Sequence, residues 1–262
     1  MSHMPLVAII PMAGVSARLA PIPSSKELLP IGLVETPNGL RPKPVCLYLL
    51  EALRLAGVER AFLVLRPGKW DIPTYLGHGA SVGIDLAYLL MNLPYGSPYT
   101  VDQAYPFVQA CLVAFGFPDV IFSPPDAIAQ LVAQQRISGA DVVLGLFPTD
   151  QPQHVDMVAF DPDGRVRRIE IKQPQSQLPY TWMLAVWTPT FSAFMHRYLA
   201  EDAQRRADPD PAKRPLRELF VGDVIQAALD RGMHVEAHCF PEGHALDVGT
   251  PANLIAAMRQ YV

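Results

Sequence analysis

Basic residues are not in surplus, cysteines are few, and no apolar run is long enough to cross a membrane. Each shortage removes a class of function. Lys and Arg number 21 against 25 Asp and Glu, a formal net charge of −4. A general nucleic-acid binder carries a basic excess to neutralise the phosphate backbone, so that class is set aside. Only 3 cysteines occur, Cys46, Cys111 and Cys239. They lie far apart, no pair has metal-ligand spacing, and an odd number argues against a disulfide framework. A reducing, cytoplasmic setting is expected. No stretch approaches the roughly 20 apolar residues of a membrane helix. The opening lacks the charged region of a signal peptide. Ser2-His3-Met4 reads as a cloning remnant, with native numbering expected from Met4 and residues 1–3 excluded from the fold.

Proline, by contrast, is abundant, at 27 of 262 residues. The prolines fall mostly between periodic segments, which predicts tight loops rather than disorder. Hydrophobic residues make up 50%, enough for a sizeable core.

Along the chain, the apolar run Leu6 to Pro11 ends at a glycine-containing loop, as a buried parallel strand does. Ala13 to Ile31 is loop-like. Val45 to Ala56 has helical spacing closed by Gly57. Strands are expected at Val58–Leu65, Ile84–Leu90, Asp119–Phe122 and Ala140–Phe147, and helices at Val101–Phe115 and Pro125–Ile137. That alternation specifies a parallel sheet with helices on both faces. Further on, Met157–Phe160 and Val166–Ile171 flank Asp161-Pro162-Asp163-Gly164, a hairpin signal. Tyr180–Trp187 and Val235–Phe240 read as strands. Pro189–Arg206 and Pro215–Arg231 read as helices, separated by the charged stretch Asp208 to Arg214. Thr250-Pro251 opens a last helix to Gln260 with an N-cap and a proline at the first helical position. The expected fold class is α/β, a three-layer, doubly wound, mixed but mostly parallel sheet. One domain is expected over 1–262, with halves at 5–150 and 151–262.

The chemistry concentrates after the first strand, in Pro11-Met12-Ala13-Gly14-Val15-Ser16-Ala17-Arg18-Leu19 and Pro21-Ile22-Pro23-Ser24-Ser25-Lys26-Glu27-Leu28-Leu29-Pro30. A small-residue loop at the carboxyl end of a parallel strand lets backbone N–H groups approach phosphates. Arg18 and Lys26 add two cations within reach of the same phosphates. No Walker loop is present, and on chemistry alone a strand-to-loop turn with two surface cations remains open. His234 and His238 show no zinc pattern. Trp182 and Trp187 are expected in the core.

The string Ala13-Gly14-x-x-x-Arg18-Leu19-x-Pro21, followed by Lys26-x-Leu28-Leu29-Pro30, resembles the signature of the sugar-1-phosphate nucleotidyltransferases, such as the glucose-1-phosphate thymidylyl- and uridylyltransferases. The resemblance continues in order through Lys43-Pro44-Val45, Leu76-Gly77-His78-Gly79 to Gly83, Asp119-Val120-Ile121-Phe122, Glu170-Ile171-Lys172-Gln173-Pro174 and Leu246-Asp247-Val248-Gly249-Thr250-Pro251. It implies a nucleotide-diphospho-sugar transferase, Rossmann-like fold. It implies that Arg18 holds the leaving pyrophosphate and that Lys26 lies between nucleotide and sugar phosphate. It also implies that Ala13, Gly14, Ser16 and Gly96 line the nucleotide, that Glu170 and Lys172 contact the sugar phosphate, and that Asp119 and Asp247 ligate Mg2+. The implied partners are a nucleoside triphosphate and a sugar phosphate, with neither nucleic acid nor membrane. Many relatives are homo-oligomers, which leaves oligomeric state open. The pattern is broken at Ser16 and Ala17, where a glycine and a threonine are usual. It is broken again at Pro118, where a glycine precedes the aspartate, at Met91, in place of a base-reading glutamine, and at Gln173, which splits a lysine-proline pair. The insert Glu35 to Arg41 is expected to be a lid or a contact surface. Two other readings stay open: a non-catalytic regulatory relative that binds a nucleotide-sugar, and an enzyme with a non-sugar phosphorylated acceptor. A glycosyltransferase is disfavoured because no aspartate-x-aspartate motif follows a central strand.

Overall fold

A computed structural model gives the fold and describes residues 4–36, 39–91, 95–210, 212, 215 and 217–261. Residues 1–3, Pro94 before Gly96, and parts of the 35–41 insert, of the 208–214 stretch and of the helix expected from Pro215 lie outside the described residues. The chain opens with β1 (Leu6–Met12), a short 3-10 turn at Lys26–Leu28, a hairpin of β2 (Pro30–Thr36) and β3 (Gly39–Pro44), and α1 (Cys46–Leu55). Then come β4 (Arg60–Leu65), α2 (Asp71–Leu76), β5 (Asp85–Leu90), α3 (Ser97–Asp102) and α4 (Tyr105–Val108). β6 (Leu112–Gly116), β7 (Val120–Ser123), α5 (Ala127–Ser138) and β8 (Val142–Pro148) follow. The remainder is β9 (Asp156–Phe160), β10 (Val166–Ile171), β11 (Tyr180–Trp187), α6 (Pro189–Arg206), α7 (Val221–Asp230), β12 (Val235–Cys239), β13 (His244–Asp247) and α8 (Pro251–Tyr261).

Nine strands make one sheet, in the order β10-β9-β11-β6-β1-β4-β5, with β8 and β12 continuing from β11 on its other side. β6, β1, β4 and β5 are parallel neighbours, and so are β8 and β12. β11 runs against β6, β8 and β9, and β10 runs against β9. The sheet is therefore mixed and mostly parallel, as expected. Alternation along β1 explains the layers, since successive side chains leave a strand on opposite faces. Val7 and Ile9 join one buried cluster with Phe191 and Phe194 of α6 and Val224 of α7. Ala8, Ile10 and Met12 join the other with Leu49, Leu50 and Leu53 of α1 and Leu131 of α5. A third, small cluster of Ile31, Val45, Ile121, Val248 and Ala257 lies beneath α8.

Several expectations are corrected. Val101–Phe115 is not one helix: it holds the end of α3, then α4, then β6. All of Leu112–Gly116 is buried, and the segment fills the slot between β1 and β11. Two-sided burial there outweighs the helical spacing of Val101, Tyr105, Val108, Leu112 and Phe115. The loop read from Ala13 to Ile31 ends earlier, at β2. The described residues of the insert, Glu35–Thr36 and Gly39–Arg41, belong to the β2–β3 ribbon, whose Thr36 pairs with Gly39. α7 begins at Val221 rather than Pro215. Asp119 does not open a strand of the main sheet: it sits in the loop between β6 and β7. β7 pairs with β13 in a ribbon of its own.

Candidate active site

β1 ends at Met12, and the next residues leave the carboxyl edge of the sheet as a loop. Ser16 adopts φ 59, a left-handed conformation that L residues other than Gly, Asn and Asp rarely take. Its carbonyl accepts the Leu19 N–H at 3.0 Å, which turns the chain so that Arg18 reaches back over the edge. The 3-10 turn then presents Lys26. A Cβ on Gly14 would lie 3.9 Å from the Lys26 Nζ, so the glycine and the ammonium are neighbours.

The two aspartates come together through β7 and β13. Asp247 pairs with Val120, and the Val248 N–H donates to the Asp119 carbonyl at 2.9 Å. Residues far apart in sequence thus become adjacent at the sheet edge. Lys26 Nζ donates to Asp119 Oδ2 at 2.5 Å. Arg18 Nη2 lies 3.7 Å from Asp247 Oδ2. Asp247 Oδ1 accepts the Gly249 N–H at 2.7 Å, and its carbonyl accepts Asn253 Nδ2 at 2.7 Å. The expected N-cap of α8 is present, with the Asn253 N–H bonded to Thr250 Oγ1 at 3.2 Å.

Burial works against the Lys26 ammonium, but Asp119, with Glu27 and Asp247 further away, outweighs it and holds the lysine above its ordinary pKa. Burial and then the charge of Asp119 push the Asp247 carboxyl up, against the pull of the Gly249 N–H, Lys26 and Arg18. Two crowded carboxylates facing two cations suit a hard divalent cation, because one oxygen of each, Asp119 Oδ1 and Asp247 Oδ2, has no hydrogen bond among the described residues. Among the described residues no third His, Cys, Asp or Glu joins them. The protein would supply two oxygen ligands and leave the rest to phosphates and water, the shared arrangement magnesium favours.

Glu170 and Lys172 are not brought to this cluster by any hydrogen bond or ion pair among the described residues. They line a separate cleft of about 920 Å³ with Arg168, Arg217 and Phe220. Glu170 accepts from Arg168 at 2.6 and 2.8 Å, and a bond from Ser176, then Arg168, holds its carboxyl below the usual range. The Lys172 ammonium sits 3.5 Å above the Phe220 ring. Gly96 has φ 113 and abuts Leu219, whose carbonyl oxygen would be 2.0 Å from a Cβ there. Met91 is buried, its sulfur accepting from Thr100. Trp182 and Trp187 are core residues, as expected. His238 lies between the side chains of Gln130 and Gln134, and His234 against Glu236, with no third ligand among the described residues.

Sequence reasoning missed the residues behind Lys26. Glu27 is 1% exposed, and both its oxygens accept from Lys69 Nζ, at 2.7 and 2.8 Å. Burial pushes the Glu27 carboxyl up and the Lys69 ammonium down, each countered by the other. The Ser25 N–H and hydroxyl both donate to Asp71, at 2.6 and 2.8 Å. Burial raises the Asp71 carboxyl, but these bonds and the Ile72 N–H more than offset it and hold it down. The only signal available was the charge of Glu27 just before the apolar Leu28-Leu29-Pro30.

A model of the nucleotidyl transferase family matches residues 7–262. The chain is 25% identical over 247 residues to a low-salt glycan biosynthesis nucleotidyltransferase of Haloferax volcanii, covering 93% of this chain and 62% of that protein. It is 25% identical over 257 residues to a glucose-1-phosphate thymidylyltransferase of Streptomyces antibioticus, covering 96% of this chain and 65% of that one. The chain thus spans less than two thirds of the length of these curated relatives. Among solved structures, it superposes on one from Bacillus anthracis, provisionally assigned as a glucose-1-phosphate thymidylyltransferase in complex with sucrose. The TM-score is 0.79 at 20% identity, covering 98% of this chain and 95% of that one. It superposes on a UDP-glucose pyrophosphorylase complexed with UDP-glucose with TM-score 0.76 at 16% identity, covering 99% and 98%. At those identities the structural likeness speaks for the fold.

Proposed function

The chain belongs to the nucleotidyl transferase family, and on that premise we propose that it joins a nucleoside triphosphate to a sugar 1-phosphate, giving a nucleotide-sugar and pyrophosphate with magnesium as cofactor. The observation that carries this reading is the convergence of Arg18, Lys26, Asp119 and Asp247 at the carboxyl edge of the sheet. An oxygen of the acceptor phosphate attacks the α-phosphorus of the nucleotide, and the bond from that phosphorus to the bridging oxygen breaks. No general base is required, because the attacking oxygen is already ionised at neutral pH. The protein's work is therefore positioning and stabilisation of charge.

In this reading Lys26, fixed by Asp119, faces the charge that builds between nucleotide and acceptor. Arg18 faces the departing pyrophosphate. Asp119 and Asp247 would hold the cation, which when bound neutralises phosphate charge. The cleft of Glu170 and Lys172 is assigned to the acceptor, with the Lys172 ammonium as the phosphate partner. The 3 free cysteines support a reducing, cytoplasmic setting.

The test is pyrophosphate release across a panel of nucleoside triphosphates and phosphorylated acceptors, sugar and non-sugar. At least one pair is expected to turn over, and excess chelator is expected to stop it. Lys26→Ala should lower the rate by about two to three orders of magnitude, the scale for one well-placed stabiliser of developing charge. Full turnover in chelator rejects the metal assignment. Nucleotide binding with no release on any pair replaces the enzyme by a regulatory binding protein.

A further inference from the structure

The loop that follows β1 has an opposite wall. β1 and β4 are adjacent parallel strands, registered to Met12 beside Leu65, so the loops leaving their carboxyl ends face each other. The loop after β4, Arg66 to Asp71, closes with residues 14–16 and 20–25 on a cleft of about 540 Å³. Two ties set the distance between the walls. One is the pair of hydrogen bonds from Ser25 to Asp71, and the other the double bond of Lys69 to Glu27.

The charge of this cleft is one-sided. Among the described residues Asp71 is the only acid that lines it, and Ser25 occupies both of its carboxylate oxygens. Arg66 and Lys69 line it as well. Among the described residues the Arg66 guanidinium has neither a hydrogen bond nor an ion pair. Lys69 is held with its side chain only 10% exposed. An ammonium carries three N–H donors, and Glu27 takes two of them, so one is left over beside the cleft. Stability does not explain this arrangement, because a buried ion pair replaced by apolar groups of similar size commonly costs nothing. A buried cation aimed at an anion does explain it.

We propose that the loop Arg66–Lys69 is a second jaw for a polyphosphate, gripping the phosphates remote from the reacting one while the Gly14–Ser16 backbone holds the opposite side. The inference rests on the nucleotidyl-transfer reading of the site. It adds Arg66 and Lys69 as contacts to the triphosphate and to pyrophosphate, and makes Glu27 the residue that positions Lys69. Because the grip exists before any bond changes, its loss should raise KM for the triphosphate and leave kcat nearly unchanged.

The experiment titrates the full chain calorimetrically with inorganic tripolyphosphate and with pyrophosphate, each with magnesium, which needs no knowledge of the base. Arg66→Met is expected to weaken both by about tenfold or more, the scale for a charged hydrogen-bonding partner, with partial recovery in Arg66→Lys. Lys69→Met alone would strand the Glu27 carboxylate in the interior, so it is paired with Glu27→Gln. That double variant should fold and still bind both anions more weakly. On the productive substrate pair, the triphosphate KM should rise in Arg66→Met while the acceptor KM stays within about twofold. If Lys26→Ala or Arg18→Ala weakens anion binding but Arg66→Met and the double variant do not, the jaw is refuted and the phosphate loop stands. If the unaltered chain binds neither anion, the phosphate-loop reading fails and the jaw falls with it.

Discussion

Gly249 carries more of the site than its lack of a side chain suggests. A Cβ there would lie 2.7 Å from Asp247 Oδ1 and 3.1 Å from Arg18 Nη2. Its N–H is also the donor that orients the Asp247 carboxylate. Its φ is not positive, so alanine fits the backbone and the strain falls on the aspartate. Gly249→Ala should therefore melt within a few degrees of the parent yet lose turnover, by up to about a hundredfold for a displacement near 1 Å. Thermal melts and pyrophosphate release on the same preparation decide it. A variant with full rate would show that the Asp247 position is not critical. Gly96 is a different case. With φ 113 and Leu219 pressed against it, close packing accounts for the glycine without any ligand. Ser16 and Lys172 are the non-glycine residues of positive φ among those described, at 59 and 46. Strain of this kind is held in place by its surroundings and collects at functional sites. Both positions were singled out from the sequence, and the turn at Ser16 accounts for the glycine expected there.

At the scale of elements, the sequence was most legible where one signal acted alone. The Asp161–Gly164 turn gave its hairpin, Thr250-Pro251 gave the start of α8, and Tyr180–Trp187 was read to the residue. It was least legible where two periods overlapped, as at Leu112–Gly116, or where no apolar run existed, as at His244–Asp247. β13 is half-buried throughout and is defined only by its partner β7. The Lys69–Glu27 tie was invisible for the same reason, since a contact between two loops leaves no local pattern. One junction of elements makes a pH prediction. Asp156 begins β9 and packs against the backbone of Gly222 in the first turn of α7. Its Oδ1 is buried without a hydrogen bond among the described residues. Burial pushes its pKa up from 3.8 to about 6, with Lys172 countering. A carboxyl with a raised folded-state pKa binds its proton more tightly in the native protein, so stability falls as pH rises from about 4 to about 6. Asp156→Asn should remove that fall and gain on the order of 2–3 kcal/mol at neutral pH. Denaturant titrations at several pH values compare the two proteins. Parallel stability curves would mean that Asp156 titrates normally.

At the scale of the molecule, the halves 5–150 and 151–262 share one sheet and both of its large buried clusters. β11 lies between β6 of the first half and β8, and Phe115 packs on both Trp182 and Trp187. The site is shared too, with Lys26 and Asp119 from the first half and Asp247 from the second. No helix among the described residues is long and apolar enough to cross a membrane. A fragment of residues 5–150 would expose the β6 edge and strip Phe115 of both indoles. It should fail to fold, with no cooperative melt. In the whole chain, indole fluorescence and far-ultraviolet dichroism should report one coincident transition in denaturant. Triphosphate with magnesium should move that transition as a unit. The gain at a hundred times Kd would be about 2.7 kcal/mol, because a ligand seated between Arg18, Lys26 and Asp247 binds only when both halves are folded. A fluorescence transition that precedes the dichroism, or a ligand that shifts one and not the other, would mean that the halves unfold separately and that the site survives on one of them.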